Sequence, residues 1–181
     1  MIPVLETERL RLRPLEQSDA DAVQTLAGNV EVARTTLSIP HPYPDGAAEA
    51  WIRSAHQSAT TGEHYAFAIV RKVDGALLGC ISLGVTKPHN RAELGYWLGV
   101  PYWGQGYVTE AARRILTFGF TELSLNKIIA IAMTKNPASV SVMRKIGMKH
   151  EGTFRQHIMK WGVYEDVVYY GIVKSDNVEN T

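Results

Sequence analysis

The chain has 181 residues, 45% of them hydrophobic and 20% charged, enough for one compact domain with a core and short for two. Nineteen Lys and Arg against eighteen Asp and Glu leave a formal net charge of +1, so no global field points to nucleic acid or to an acidic membrane surface. Cys80 is the only cysteine, which excludes an intrachain disulfide and a multi-cysteine zinc site; the six histidines lack paired metal-ligand spacing, so no metal is expected.

The opening MIPVLETERLRLRP mixes acids and bases and holds no apolar run of signal-peptide length. Residues 94–109 are uncharged, but their glycines and Pro101 are incompatible with a membrane helix. A cytoplasmic protein without membrane contact is expected. Residues 9–14, RLRLRP, alternate apolar and basic side chains as a half-exposed strand does. Ser18 or Asp19 can cap a helix running to about Gly28. Three prolines between Ser38 and Gly46 require a loop, and a second helix follows over 47–58.

Residues 64–70 and 76–85 are rich in β-formers and meet at Asp74-Gly75, a hairpin turn. Residues 91–100 form another strand that ends at Pro101. Val108, Ala111, Ala112, Ile115, Leu116 and Gly119 then recur at helical spacing, predicting an amphipathic helix over about 106–122. A strand over 127–134 leads to Asn136-Pro137, an N-cap followed by proline at the first helical position, and Gly147 suits the left-handed position after that helix. Strands near 149–155 and 163–173 close a single α+β domain, residues 1–174, with a loose tail over 175–181.

Residues 92–111, AELGYWLGVPYWGQGYVTEA, read as strand, glycine-rich turn and helix. Gly104 and Gly106 allow a tight bend or close approach of a ligand. The amides and positive dipole end of the following helix suit a diphosphate, and Thr109 adds a hydroxyl in the first turn. A plain glycine turn before a helix reads the same way. The spacing is neither a dinucleotide fingerprint nor a P-loop.

This segment resembles the acetyl-CoA motif of the GNAT N-acetyltransferases, specifically their RimJ/RimL type. Three further segments resemble the same family in the same order: residues 5–20, LETERLRLRPLEQSDA; residues 125–148, LNKIIAIAMTKNPASVSVMRKIGM; and residues 162–172, GVYEDVVYYGI. Trp103 stands where the superfamily usually has Gln or Arg, and Val108 where it has a small residue. The resemblance implies a twisted mixed β-sheet of about seven strands flanked by helices and splayed to admit acetyl-CoA as cosubstrate. It implies a cofactor loop of Gly104, Gln105, Gly106, Tyr107, Val108 and Thr109. It also lays the backbone of Leu98, Gly99 and Val100 along the pantetheine arm, with the Val100 amide on the thioester carbonyl.

Within that resemblance Glu93 is the general base, although the residues alone also allow a simple ion pair with Arg91. The resemblance also implies that Ser139 protonates the departing thiolate, favoured over Ser141 because it matches the family's N-P-x-S spacing, with helix geometry sending Ser141 to a different face. Asn136 is either a cap or a cofactor contact, and Arg144 either meets the phosphate end of CoA or is a solvated helix-face charge. Tyr43, in the proline-rich loop, lines the acceptor pocket or packs on the core. Cys80 reads as a small buried hydrophobe. The implied reaction is direct transfer of acetyl to a primary amine, a protein N-terminal α-amino group of ribosomal-protein type. The alternatives are a small amine (metabolite or antibiotic) and a non-catalytic acyl-CoA sensor. A homodimer is left open.

Overall fold

A computed structural model describes residues 2–178. Its framework is one eight-stranded sheet, one strand more than expected, in the order β1-β2-β3-β4-β5-β6-β8-β7. The additional strand is β1 (Leu5–Glu6), a two-residue edge on β2 (Leu10–Pro14). β3 (His64–Arg71) and β4 (Leu77–Thr86) form the hairpin foreseen at Asp74-Gly75, where Gly75 adopts φ 72°. β5 (Arg91–Leu98) follows β4 antiparallel.

α4 and α5 are read from the same strong local signals that predict them. α4 (Tyr107–Thr121) buries Ala111, Ala112, Ile115 and Leu116 on one stripe. α5 (Pro137–Lys145) starts at Asn136, whose side chain accepts the Ser139 amide, and Gly147 takes φ 88° beyond its end. Between them β6 (Lys127–Met133) pairs parallel with β5 and antiparallel with β8 (Val163–Val173).

The sheet separates two cores. On β3, Phe67 and Ile69 join the cluster under α4, whereas Ala66 and Ala68 face the other way. That second face is covered by Val23 and Ala27 of α1 (Ala20–Ala27) and Ile52 and Ala55 of α3 (Ala47–Thr60). Small side chains on the sheet let these two helices approach closely.

Three further elements depart from the sequence reading. A short helix, α2 (Val30–Thr35), follows α1 with Asn29 as its cap, in a stretch with no clear apolar period. β7 (Lys149–Lys160) runs well past residue 155 because Trp161 and Gly162, both with positive φ, make a tight two-residue turn that matches strand twist. Residues Lys174–Val178 form one more helical turn, α6, where a loose tail was expected, and Lys149 reaches Asp176 at 3.1 Å; residues 179–181 lie outside the described residues.

Candidate active site

The site begins where two strands part. β5 and β6 pair only from Arg91↔Lys127 to Glu93↔Ile129. Beyond that point β5 continues along β4 to Leu98, and β6 continues along β8 to Met133, so a wedge opens in mid-sheet. Gly99 donates to the Leu78 carbonyl at 2.8 Å, which fixes the parity of β5. Glu93, Gly95 and Trp97 turn their backbone groups to β4, while Leu94, Tyr96 and Leu98 turn theirs into the wedge. The Gly99 amide, expected along the pantetheine arm, is therefore taken by β4. Val100 is not in the strand at all but in a 3-10 turn, Val100–Tyr102, that Pro101 helps to start.

Trp103, which follows that turn, donates its indole Nε1 to the Leu98 carbonyl at 2.7 Å. The indole thus secures the end of β5 against the loop that leads into α4. Gly104 and Gly106 adopt φ 73° and 81°, the left-handed region that favours glycine. Gly106 is the N-cap of α4 and supplies no side-chain cap, so the first amides of the helix remain available to an anion. Gly104, Gly106, Tyr107, Val108 and Thr109 all line a cavity of about 780 Å³ that fills the wedge. Gln105 is absent from that lining: its amide bonds back to the Pro101 carbonyl at 3.1 Å, and its own carbonyl accepts from Arg9.

α4 is held at this end by the amino-terminal strands. Glu110 accepts from the Thr7 hydroxyl at 2.6 Å, from the Arg9 amide at 2.8 Å and from Arg9 Nε at 2.7 Å. Arg9 also lies over the Tyr107 ring, 4.5 Å from its centroid. Burial raises the Glu110 carboxyl, but these bonds outweigh it and hold the group below its usual range.

Ser139 lies in the first turn of α5, and its Oγ is 2.7 Å from the Tyr96 hydroxyl. Burial pushes the Tyr96 phenol up to about 12, with the Ser139 bond pulling the other way. Both residues line the cavity, so a paired hydroxyl cluster replaces the single serine expected. Tyr96 was legible in part, since alternation with Leu94 and Leu98 turns it to the α4 face, but its meeting with Ser139 depends on how α5 docks. Ser141 lines the cavity too, contrary to the expectation that it turns elsewhere.

Asn136 caps α5 and also donates Nδ2 to the Thr35 carbonyl at 3.1 Å, tying α2 to the start of α5. Arg144 donates to the Tyr170 hydroxyl at 3.2 Å and does not line the cavity; its neighbour Lys145 does. Tyr43 lines the cavity and packs on the α1–α3 core at once, so its two readings coexist. Cys80 is buried in that core yet contributes to the cavity lining, and burial pushes its thiol up to about 12, which disfavours the thiolate.

Glu93 stands at the point where the strands part, exposed to the cavity and lining it. Burial of its surroundings raises its carboxyl, and Arg91 opposes the rise. His64 pairs with Gly84, and Gly84 pairs with Glu93, so His64 and Glu93 flank a residue without a side chain on one face of the sheet. Burial lowers the His64 imidazole and favours its neutral form. Sequence reasoning missed His64, whose only signal is strand register.

A wedge with uncapped helix amides at one end, hydroxyls in the middle and a raised carboxylate at the point of parting is suited to an acyl thioester and an amine. The family model for the acetyltransferase (GNAT) domain matches residues 9–149. The chain belongs to the GNAT acetyltransferase family. It is 31% identical over 175 residues to the uncharacterized N-acetyltransferase YoaA of Bacillus subtilis, covering 96% of this chain and 98% of that protein. It is 27% identical over 160 residues to the spermidine N(1)-acetyltransferase of Escherichia coli, covering 88% and 83%. Among solved structures it superposes on RimL, the ribosomal L7/L12 α-N-protein acetyltransferase in complex with coenzyme A, with a TM-score of 0.87 over 94% of this chain and 98% of that one. At 18% identity that likeness concerns the fold. This GNAT chain is an N-acetyltransferase.

Proposed function

We propose that this N-acetyltransferase transfers acetyl from acetyl-CoA to the α-amino group at the N-terminus of a protein or peptide. The observation that carries the choice of a singly charged acceptor over a polyamine is the charge of the cavity lining, which holds a single carboxylate, Glu93, among the described residues. One ammonium finds a partner there. A polyamine would bring further cations into a site with no second acid, and each would lose hydration without compensation. A small amine with one charge is the second reading, and the same lining favours it over a polyamine.

Acetyl-CoA, when bound, supplies an activated acyl group and a thiolate leaving group. The uncapped amides of Tyr107, Val108 and Thr109 would hold its diphosphate, and the backbone edge of Leu94 and Tyr96, with the Leu98 amide, would hold the arm that reaches down the wedge. Glu93, its carboxyl raised, takes the proton of the incoming ammonium directly or through water, giving the neutral nucleophile. Tyr96 keeps its proton because its phenol is pushed up to about 12, and together with Ser139 it can deliver one to the sulfur. Acetyl passes directly to the amine with both substrates bound, a route favoured by Cys80, which lines the cavity but whose thiol is pushed up to about 12 by burial and so makes a poor acyl carrier.

The reading is tested by measuring CoA release with N-terminal peptides, the same peptides blocked at the N-terminus, and spermidine. Turnover confined to free N-termini is expected. Faster turnover of spermidine would sink the assignment.

A further inference from the structure

The acceptor end of the cavity is walled differently from the cofactor end. Trp97 points to the α1–α3 side of the sheet, in the same row as Glu93 and Gly95. Trp51 of α3 and, from the loop between α2 and α3, Ile39 and Tyr43 pack on the same core and line the same cavity. All four are half-buried, pack against the α1–α3 core, and line the cavity. Three aromatic rings and a branched aliphatic side chain therefore line the same cavity as the one carboxylate, with Trp97 four residues along β5 from Glu93. His64, in the same wall, is held towards its neutral form by burial and adds no second charge of either sign.

The loop that carries Ile39 and Tyr43 is held in place by donors from other elements. Lys160 at the end of β7 reaches the Ile39 carbonyl at 3.3 Å, and Gln24 of α1 reaches the Tyr43 carbonyl at 3.2 Å. Asn136 fixes its start through Thr35. The apolar wall is thus pre-formed rather than assembled by substrate, the arrangement that selects on shape and polarity at low ordering cost.

We infer that the acceptor carries a large apolar group next to its amine, which for a peptide means a bulky hydrophobic first residue such as Leu, Met or Phe. This rests on the reading of Glu93 as the amine site. With the ammonium at Glu93, the group on the adjacent carbon enters the space among Trp51, Tyr43, Trp97 and Ile39. An acidic first side chain would meet the repulsion of Glu93 and lose hydration against apolar rings, and a glycine would leave the wall uncovered.

The test uses the full chain, acetyl-CoA and a set of peptide amides that differ only in the first residue: Leu, Phe, Gly, Ser and Asp. Leucinamide, phenethylamine and spermidine complete the set. The expected kcat/KM is about 10-fold or more higher for Leu or Phe than for Gly, with Asp lowest. Trp51→Ala and Ile39→Ala, each checked for folding by thermal melting, should shrink the Leu-to-Gly ratio towards one; Ile39 lies in a loop and keeps the test open if the helix variant fails to fold. Gly or Asp peptides turned over as well as Leu would overturn the inference and leave the N-terminal reading intact. Turnover of leucinamide and phenethylamine with no peptide turnover would uphold the apolar pocket and overturn the peptide reading. Preference for spermidine, or acetyl-CoA binding with no CoA release on any amine, would overturn both.

Discussion

The Tyr96 hydroxyl and the Ser139 hydroxyl meet at 2.7 Å, the one from the strand that leaves the wedge and the other from the first turn of the helix beyond it. Because the phenol is pushed up to about 12, Tyr96 is protonated across the working pH range. Tyr96→Phe is expected to lower kcat about 100-fold or more, the scale of a lost general acid. Ser139→Ala should cost less, since the phenol keeps its proton without it. Steady-state kinetics check both; kcat unchanged in Tyr96→Phe would remove the proton-donor role.

Glu93 should govern the acid limb of the pH–rate profile. A base acts only when deprotonated, and its carboxyl is raised, so kcat/KM should fall with decreasing pH earlier than an ordinary carboxylate would make it. Arg91 lowers that carboxyl, and Arg91→Ala should move the limb to still higher pH. Glu93→Gln should abolish the limb along with most of the rate. A limb that stays in place in both variants would mean that another group is being titrated.

Asn136 performs two separable tasks, capping α5 through Oδ1 and holding Thr35 through Nδ2. Asn136→Ala loses both and should cost about 1 kcal/mol of stability from the cap alone. Asn136→Asp keeps an acceptor for the Ser139 amide but offers no donor to the Thr35 carbonyl. The Asp variant should melt nearer the wild type than the Ala variant does, while its KM for the acceptor rises. Equal acceptor KM in Asn136→Asp and the wild type would reduce Asn136 to a cap.

Glu110 links fold stability to pH. Its carboxyl is held low in the folded chain by Thr7 and Arg9, so its contribution is present above the unfolded-state value and is lost as pH falls through the folded one. Glu110→Gln should lower stability by about 1–3 kcal/mol at neutral pH, as expected for charged hydrogen bonds left incomplete. The difference between variant and wild type should shrink in acid. Thermal melts at pH 7 and pH 3 measure it; a difference that does not depend on pH would contradict the linkage.

Much of the frame could be read from the chain alone because it rests on local signals. The apolar stripe of Val108, Ala111, Ala112, Ile115 and Leu116 specifies α4, and Asn136-Pro137 specifies the start of α5 whatever packs around them. The alternation in β5 puts Glu93 and Trp97 on one face before any fold is known. The glycines at 104 and 106 mark a turn whose positive φ values only glycine adopts freely.

Tertiary structure decided the contacts whose partners lie far apart in sequence. No local rule says that β5 and β6 stop pairing after Glu93 and Ile129, because pairing length depends on how two strands twist against different neighbours. Tyr96 and Ser139 are 43 residues apart, and Asn136 and Thr35 are 101 apart. Arg144 was the helix-face candidate for the phosphate end of CoA, but docking turned it to Tyr170 and left its neighbour Lys145 on the cavity. The sequence by itself determined most of the longer elements and which faces they bury, since periodicity and capping act within a few residues. Only the packed chain decided which hydroxyls, carbonyls and rings share the wedge, since those meetings follow from the docking of whole elements on the sheet.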